Sequence, residues 1–279
     1  MRRALPLAVL GALLVLLATA PAALANAISP EHAGGSRNAD DINTLYVIAL
    51  VIGAVIFLGV EGVLITALIR FRKRRGGPEP AQIRGNTPLE VGWTIGAATV
   101  LVMLTAISFA YLGDIKNPQE SESGAMAGTV QVAALHQAKV PGGKSLPIAV
   151  NGQQYLWRFT YPGKDQVVSY HDMYVPVGTT VTLKITSSDV AHSWWIPQLG
   201  GKADAIPGHT NDTWFRIDHP GTFTGQCAEL CGENHADMRA RVIALEPDKF
   251  QAWMARQAAD LRASQAQLSL SRKIRGEGN

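Results

Sequence analysis

The chain has 279 residues, with 25 Lys and Arg against 22 Asp and Glu, a formal net charge of +3, and 47% hydrophobic residues. Its mean hydropathy is +0.08, but the apolar residues are unevenly spread, as in membrane segments joined to a soluble domain. It contains no internal repeat, phosphate-binding glycine loop or nucleophile triad, which sets aside nucleotide-binding and triad-hydrolase classes.

The N-terminus reads as a secretory signal over residues 1–27: Arg2 and Arg3, an apolar run from Ala4 to Leu17, and small residues at Ala23-Leu24-Ala25 and Ala25-Asn26-Ala27. The alternative is an uncleaved first membrane helix. Two spanning helices are expected in residues 28–124. Leu45 to Ile69 gives about 37 Å of helix and Val91 to Leu112 about 33 Å, each enough to cross a bilayer. Between them runs Arg70-Phe71-Arg72-Lys73-Arg74-Arg75. A short basic loop belongs on the cytoplasmic side, so the chain after Leu112 lies outside. Its flanking helices assign that run to the membrane surface and not to nucleic acid.

Beyond the spans the period changes to two. Trp157, Phe159 and Tyr161 alternate, as do Val181, Leu183 and Ile185, and Phe215 and Ile217 oppose Trp214 and Arg216. Such runs, parted by turns such as Pro162-Gly163, predict an antiparallel all-β sandwich or barrel over residues 125–247. Residues 248–279 read as a C-terminal helix and tail, with Phe250, Trp253 and Met254 packing back on the domain.

The chemistry concentrates in Cys227-Ala228-Glu229-Leu230-Cys231-Gly232-Glu233-Asn234-His235-Ala236-Asp237-Met238, which holds both cysteines of the chain. A second histidine lies upstream in Asp189-Val190-Ala191-His192-Ser193-Trp194-Trp195. Thiolate, imidazole and thioether together suit copper. A disulfide is the ordinary fate of two cysteines in an exported domain, but the His235, Met238 and His192 spacing argues against it. Structural zinc seldom recruits methionine. Two thiolates, two imidazoles and one thioether are too many donors for one small ion and suit two copper ions bridged by the sulfurs. His32, His136, His171, His209 and His219 lack ligand spacing and read as surface or loop residues; Met173 reads as packing. No Cys-x-x-Cys-His occurs, so the chain carries no covalent haem of its own.

Taken together, these features resemble subunit II of the haem-copper cytochrome c oxidases. That family joins a two-helix transmembrane hairpin to a cupredoxin-like Greek-key domain with a binuclear copper centre, CuA. The resemblance implies copper ligation by His192, Cys227, Cys231, His235 and Met238 and by the backbone carbonyl of Glu229. It also implies that the Glu229 side chain reaches a magnesium shared with subunit I. The segment Gly200-Gly201-Lys202-Ala203-Asp204-Ala205-Ile206-Pro207-Gly208 looks like the family loop between the first ligand histidine and the cysteine strand. Subunits I and III, membrane lipid and a cytochrome c-type donor are the implied partners. The implied role is to accept single electrons and pass them to haem in subunit I for reduction of O2, from the extracytoplasmic side of a bacterial plasma membrane. Tyr155 stands where the family has a tryptophan at which electrons arrive; Tyr155 and Trp157 are the candidates here. Glu90 matches the family glutamate at the mouth of a proton channel, and reads equally as an interfacial acid at a helix N-terminus. A stand-alone membrane-anchored copper redox or copper-delivery protein is the competing reading.

Overall fold

The computed structural model describes residues 34–72, 81–121, 145–163 and 167–275. The expected signal peptide, most of the basic loop, His32 and His136 lie outside them. Two compact units are present, one of residues 44–113 and one built from the chain on either side.

Helix α1 is Arg37–Arg70 and α2 is Thr87–Lys116, both longer than the spans read from hydropathy. Their terminal turns are polar, which hydropathy misses and backbone hydrogen bonding includes. Large apolar side chains are exposed along both, among them Val55, Leu58, Val63, Ile69, Trp93, Leu101 and Phe109. Helices apolar on every side are the kind a hydrocarbon environment requires. Asn86 caps α2: its Oδ1 accepts the Leu89 N–H, while the Asn86 N–H donates to Glu90 Oε1 at 3.0 Å. Glu90 therefore acts here as the acidic partner of a helix cap.

Ten strands follow among the described residues: β1 (Leu146–Gln153), β2 (Leu156–Thr160), β3 (Val168–Tyr170), β4 (Asp172–Pro176), β5 (Thr180–Ser187), β6 (His192–Trp195), β7 (Ala203–Ala205), β8 (Asn211–Arg216), β9 (Gly221–Cys227) and β10 (Arg239–Leu245). They form two five-stranded sheets, ordered β3-β2-β1-β5-β8 and β4-β10-β9-β6-β7. The sandwich is mixed and not wholly antiparallel, since β1 pairs parallel with β5 and β10 parallel with β4. Parallel neighbours require a crossover. The chain supplies it by leaving the first sheet at His171, whose φ is +61°, and entering the second as β4.

Alternation places Trp157, Phe159, Tyr161, Val181, Leu183 and Ile185 in the core as expected. Trp214 departs from a one-sided pattern, being buried on the face opposite Phe215 and Ile217. Flanking segments cover that face: the Asn38 amide donates to the Trp214 carbonyl at 2.7 Å, and Trp214 Nε1 donates to the Ile115 carbonyl at 2.9 Å. Helix α3 (Pro247–Ile274) opens with proline in its first turn, where the missing N–H costs nothing. Phe250 and Trp253 anchor its first half against Tyr161 and Tyr174, and Trp253 stacks on Tyr174 with centroids 4.5 Å apart. Leu268, Leu270 and Ile274 in its second half are exposed.

Candidate metal centre

The site forms at one end of the second sheet. His192 opens β6 and Cys227 closes β9; these strands pair with Trp194 opposite Cys227. The chain then turns through residues 228–237 before Met238 leads into β10. A hydrogen bond from the Cys227 N–H to the Met238 carbonyl, 2.9 Å, closes that loop. Cysteines four apart on such a turn bring both sulfurs to its inner side.

Cys227 and Cys231 are both free thiols and buried, their sulfurs 4.0 Å apart. His192 Nδ1 lies 3.8 Å from the Cys227 sulfur, and His235 Nδ1 lies 3.5 Å from the Cys231 sulfur. Met238 Sδ is 3.8 Å from the Cys231 sulfur, and the Glu229 carbonyl is 3.2 Å from the Cys227 sulfur. All six expected copper-site residues are thus brought together. The donor atoms of His192, Cys227 and Cys231 lie within 4.8 Å of one another.

This donor set fits a soft metal. An ion about 2.0–2.3 Å from each ligand at tetrahedral angles places its donors roughly 3.3–3.8 Å apart, close to the separations found. Each sulfur has its own imidazole, an arrangement that serves two ions and has no purpose in a disulfide. Burial, with Cys227 beside it, pushes the Cys231 thiol up to about 11. A bound cation reverses that balance and deprotonates a coordinating thiol outright.

Two residues outside the expected ligand set organise the site. Asp189 Oδ1 lies 2.9 Å from His192 Nε2, so the carboxylate fixes which ring nitrogen faces the sulfurs. Partial burial works against ionisation of Asp189. Hydrogen bonds from the Gln154 N–H, His192, the Val190 N–H and Ser187 outweigh it and hold the pKa at about 2. Asp189 stands three residues before His192, so an acid so placed was a readable signal for the ring's second partner. Gln154 left no such signal, because its partner, the Cys231 carbonyl 2.7 Å from its side-chain amide, is 77 residues away.

Trp157 is fully buried and meets the His192 ring edge-on with centroids 6.0 Å apart. Strand alternation turns it inward, so of the two electron-entry candidates Trp157 lies beneath the domain surface and against the His192 ring. Tyr155 is half-buried at the domain surface, its Oη accepting the Glu233 N–H at 3.1 Å. The Glu229 side chain is exposed, as are His171, His209 and His219, while Met173 is buried in the core.

The fold and site define a membrane-anchored cupredoxin-like protein with a buried cluster of soft metal-donor side chains. Residues 163–245 match the family model for cytochrome c oxidase subunit II, periplasmic domain, and residues 31–111 that for its transmembrane domain. Cytochrome c oxidase subunit 2 of Alkalihalophilus pseudofirmus is 34% identical over 216 residues, 77% of this chain and 58% of that protein. That of Thermostichus vulcanus is 34% identical over 256 residues, 80% of this chain and 76% of the relative. The solved periplasmic domain of subunit II from Bradyrhizobium japonicum is 32% identical, covering 42% of this chain and 95% of that one at a TM-score of 0.40. The chain belongs to the cytochrome c oxidase subunit II family.

Proposed function

We propose that this chain is the copper-binding subunit of a respiratory terminal oxidase. His192, Cys227, Cys231, His235, Met238 and the Glu229 carbonyl would hold a binuclear copper centre. The observation that carries the reading is the pairing of two buried thiols 4.0 Å apart, each beside its own imidazole. Copper held there would supply one-electron chemistry between a cytochrome c-type donor and haem in subunit I, the site of O2 reduction.

The chain's own part is to hold the donors still and dry. Asp189 orients His192, and Trp157, itself packed edge-on against Trp194, walls its ring with apolar surface. Ligands fixed by strand ends and packing relax little when charge changes. The domain lies on the extracytoplasmic side of a bacterial plasma membrane, with subunits I and III as neighbours in the bilayer. The exposed Glu229 carboxylate is free to reach a magnesium shared with subunit I. Leu230, 77% exposed between the cysteines, and half-buried Tyr155 offer the donor a contact surface.

The test is electron paramagnetic resonance of the full chain loaded with copper in detergent. One unpaired electron shared equally by two copper nuclei gives a septet, which Cys231→Ser should abolish; a quartet from wild type would indicate a single ion and favour a copper carrier. Glu90, already used as a helix cap, is also proposed to take protons towards subunit I. Glu90→Gln should then slow turnover in liposomes with the copper spectrum intact, and unchanged turnover would leave the cap as its sole role.

A further inference from the structure

We propose that the tip of the β1–β2 hairpin is a strap across the metal centre, with Gln154 as the positioning residue that holds the histidine and cysteine loops in fixed relation. The inference rests on the copper reading above. The Gln154 N–H donates to Asp189 Oδ2 at 2.7 Å, and the other oxygen of that carboxylate holds His192. The side-chain amide of the same residue donates to the Cys231 carbonyl at 2.7 Å. Its neighbour Tyr155 accepts the Glu233 N–H two residues further along the cysteine loop. One two-residue turn thus grips both ligand-bearing loops.

Packing supports the same assignment. A β-carbon on Gly152 would stand 2.9 Å from His192 Cδ2; one on Gly232 would stand 2.5 Å from Tyr155 Oη and 2.9 Å from Gln154 Nε2. Glycine therefore occurs at two of the close approaches between the hairpin and the ligand-bearing segments, and at Gly232 φ is +132°. Two-residue hairpin turns favour Asn-Gly or Asp-Gly, yet this one is Gln154-Tyr155, whose side chains make the contacts that glycine could not. Gln154 is exposed, so its side chain is ordered on the Cys231 carbonyl at an entropic cost that burial does not offset.

Elsewhere the cysteine loop is tied to β6 by the hydrogen bond from the Ala228 N–H to the Ser193 carbonyl, at the Cys227 end. Gln154 supplies the tie at the Cys231 end. It keeps the sulfurs at 4.0 Å, well beyond the roughly 2.05 Å of a disulfide.

The experiment compares wild type, Gln154→Ala and Gln154→Glu as full-length chain in detergent; the Glu variant keeps the side-chain length but offers no donor. Copper-loaded protein is challenged with a chelator while the hyperfine pattern is followed. Metal-free protein is exposed to oxidised glutathione, which is reduced to two thiols as Cys227 and Cys231 lose two electrons and two protons to form a disulfide. Both variants should lose copper about tenfold faster or more, with altered hyperfine splitting, and their metal-free thiols should close faster than wild type, at unchanged far-UV circular dichroism. Rates within about twofold of wild type in either variant would overturn the strap. Absence of a two-copper signal from wild type would sink the copper reading instead, and the thiol-oxidation rates would still decide the strap.

Discussion

At the scale of single residues, charge and hydrogen bonding are allotted by burial. Asp189 stays ionised because four hydrogen bonds converge on it, and it uses that charge to orient His192. Tyr161 shows the opposite case: burial pushes its phenol far above the ordinary tyrosine range, and its Oη accepts the Tyr174 N–H at 2.7 Å. The fold keeps Tyr161 protonated where the unfolded chain, with a pKa near 10.0, releases the proton. Its stabilising contribution is therefore complete below that pH and is lost as pH rises above it. Urea midpoints measured between roughly pH 9 and 12 should fall with pH in wild type and fall less steeply in Tyr161→Phe. At neutral pH that variant should be weaker by about 1–3 kcal/mol, because the Tyr174 N–H loses its acceptor. The copper-site residues were legible in sequence because soft donors on one short loop have few other uses. Gln154 was not, since a glutamine that bonds a carbonyl 77 residues away looks like any other surface glutamine.

Among the elements, α3 depends on an aromatic seat. Trp253 stacks on Tyr174 and Phe250 and meets Tyr161 edge-on, so Trp253→Ala should cost about 3–5 kcal/mol. Limited proteolysis should then cut within residues 247–274 first; an unchanged cleavage pattern would mean that Phe250 alone seats the helix. The strands of the core were readable from their two-residue period, because one face of each meets the core. Their partners were not. The parallel β1–β5 and β4–β10 pairings join segments separated by whole strands, and alternation says which face is buried without saying which strand lies alongside. Trp214 marks the same boundary: alternation assigned it the face opposite the core, and only the neighbouring segments reveal why that face is covered too.

Over the whole chain, charge is unevenly shared. Residues 113–247 hold 13 acids and 10 bases, a net of −3, although the full sequence is +3. A deficit so small steers a basic donor weakly. Stopped-flow association with a basic cytochrome should slow by less than about tenfold as ionic strength rises through the physiological range; a steep decline would reveal a dense acidic patch. Membrane anchoring, an all-β domain and a soft-metal loop are written in the sequence itself. Each depends on hydropathy, local period or donors close together along the chain, and local physics suffices to express them. The crossing of the chain between sheets, the contact of Trp157 with His192, and the meeting of Gln154, Asp189 and Cys231 were decided by the tertiary structure. These are contacts between distant segments, and no local pattern encodes which distant segments meet.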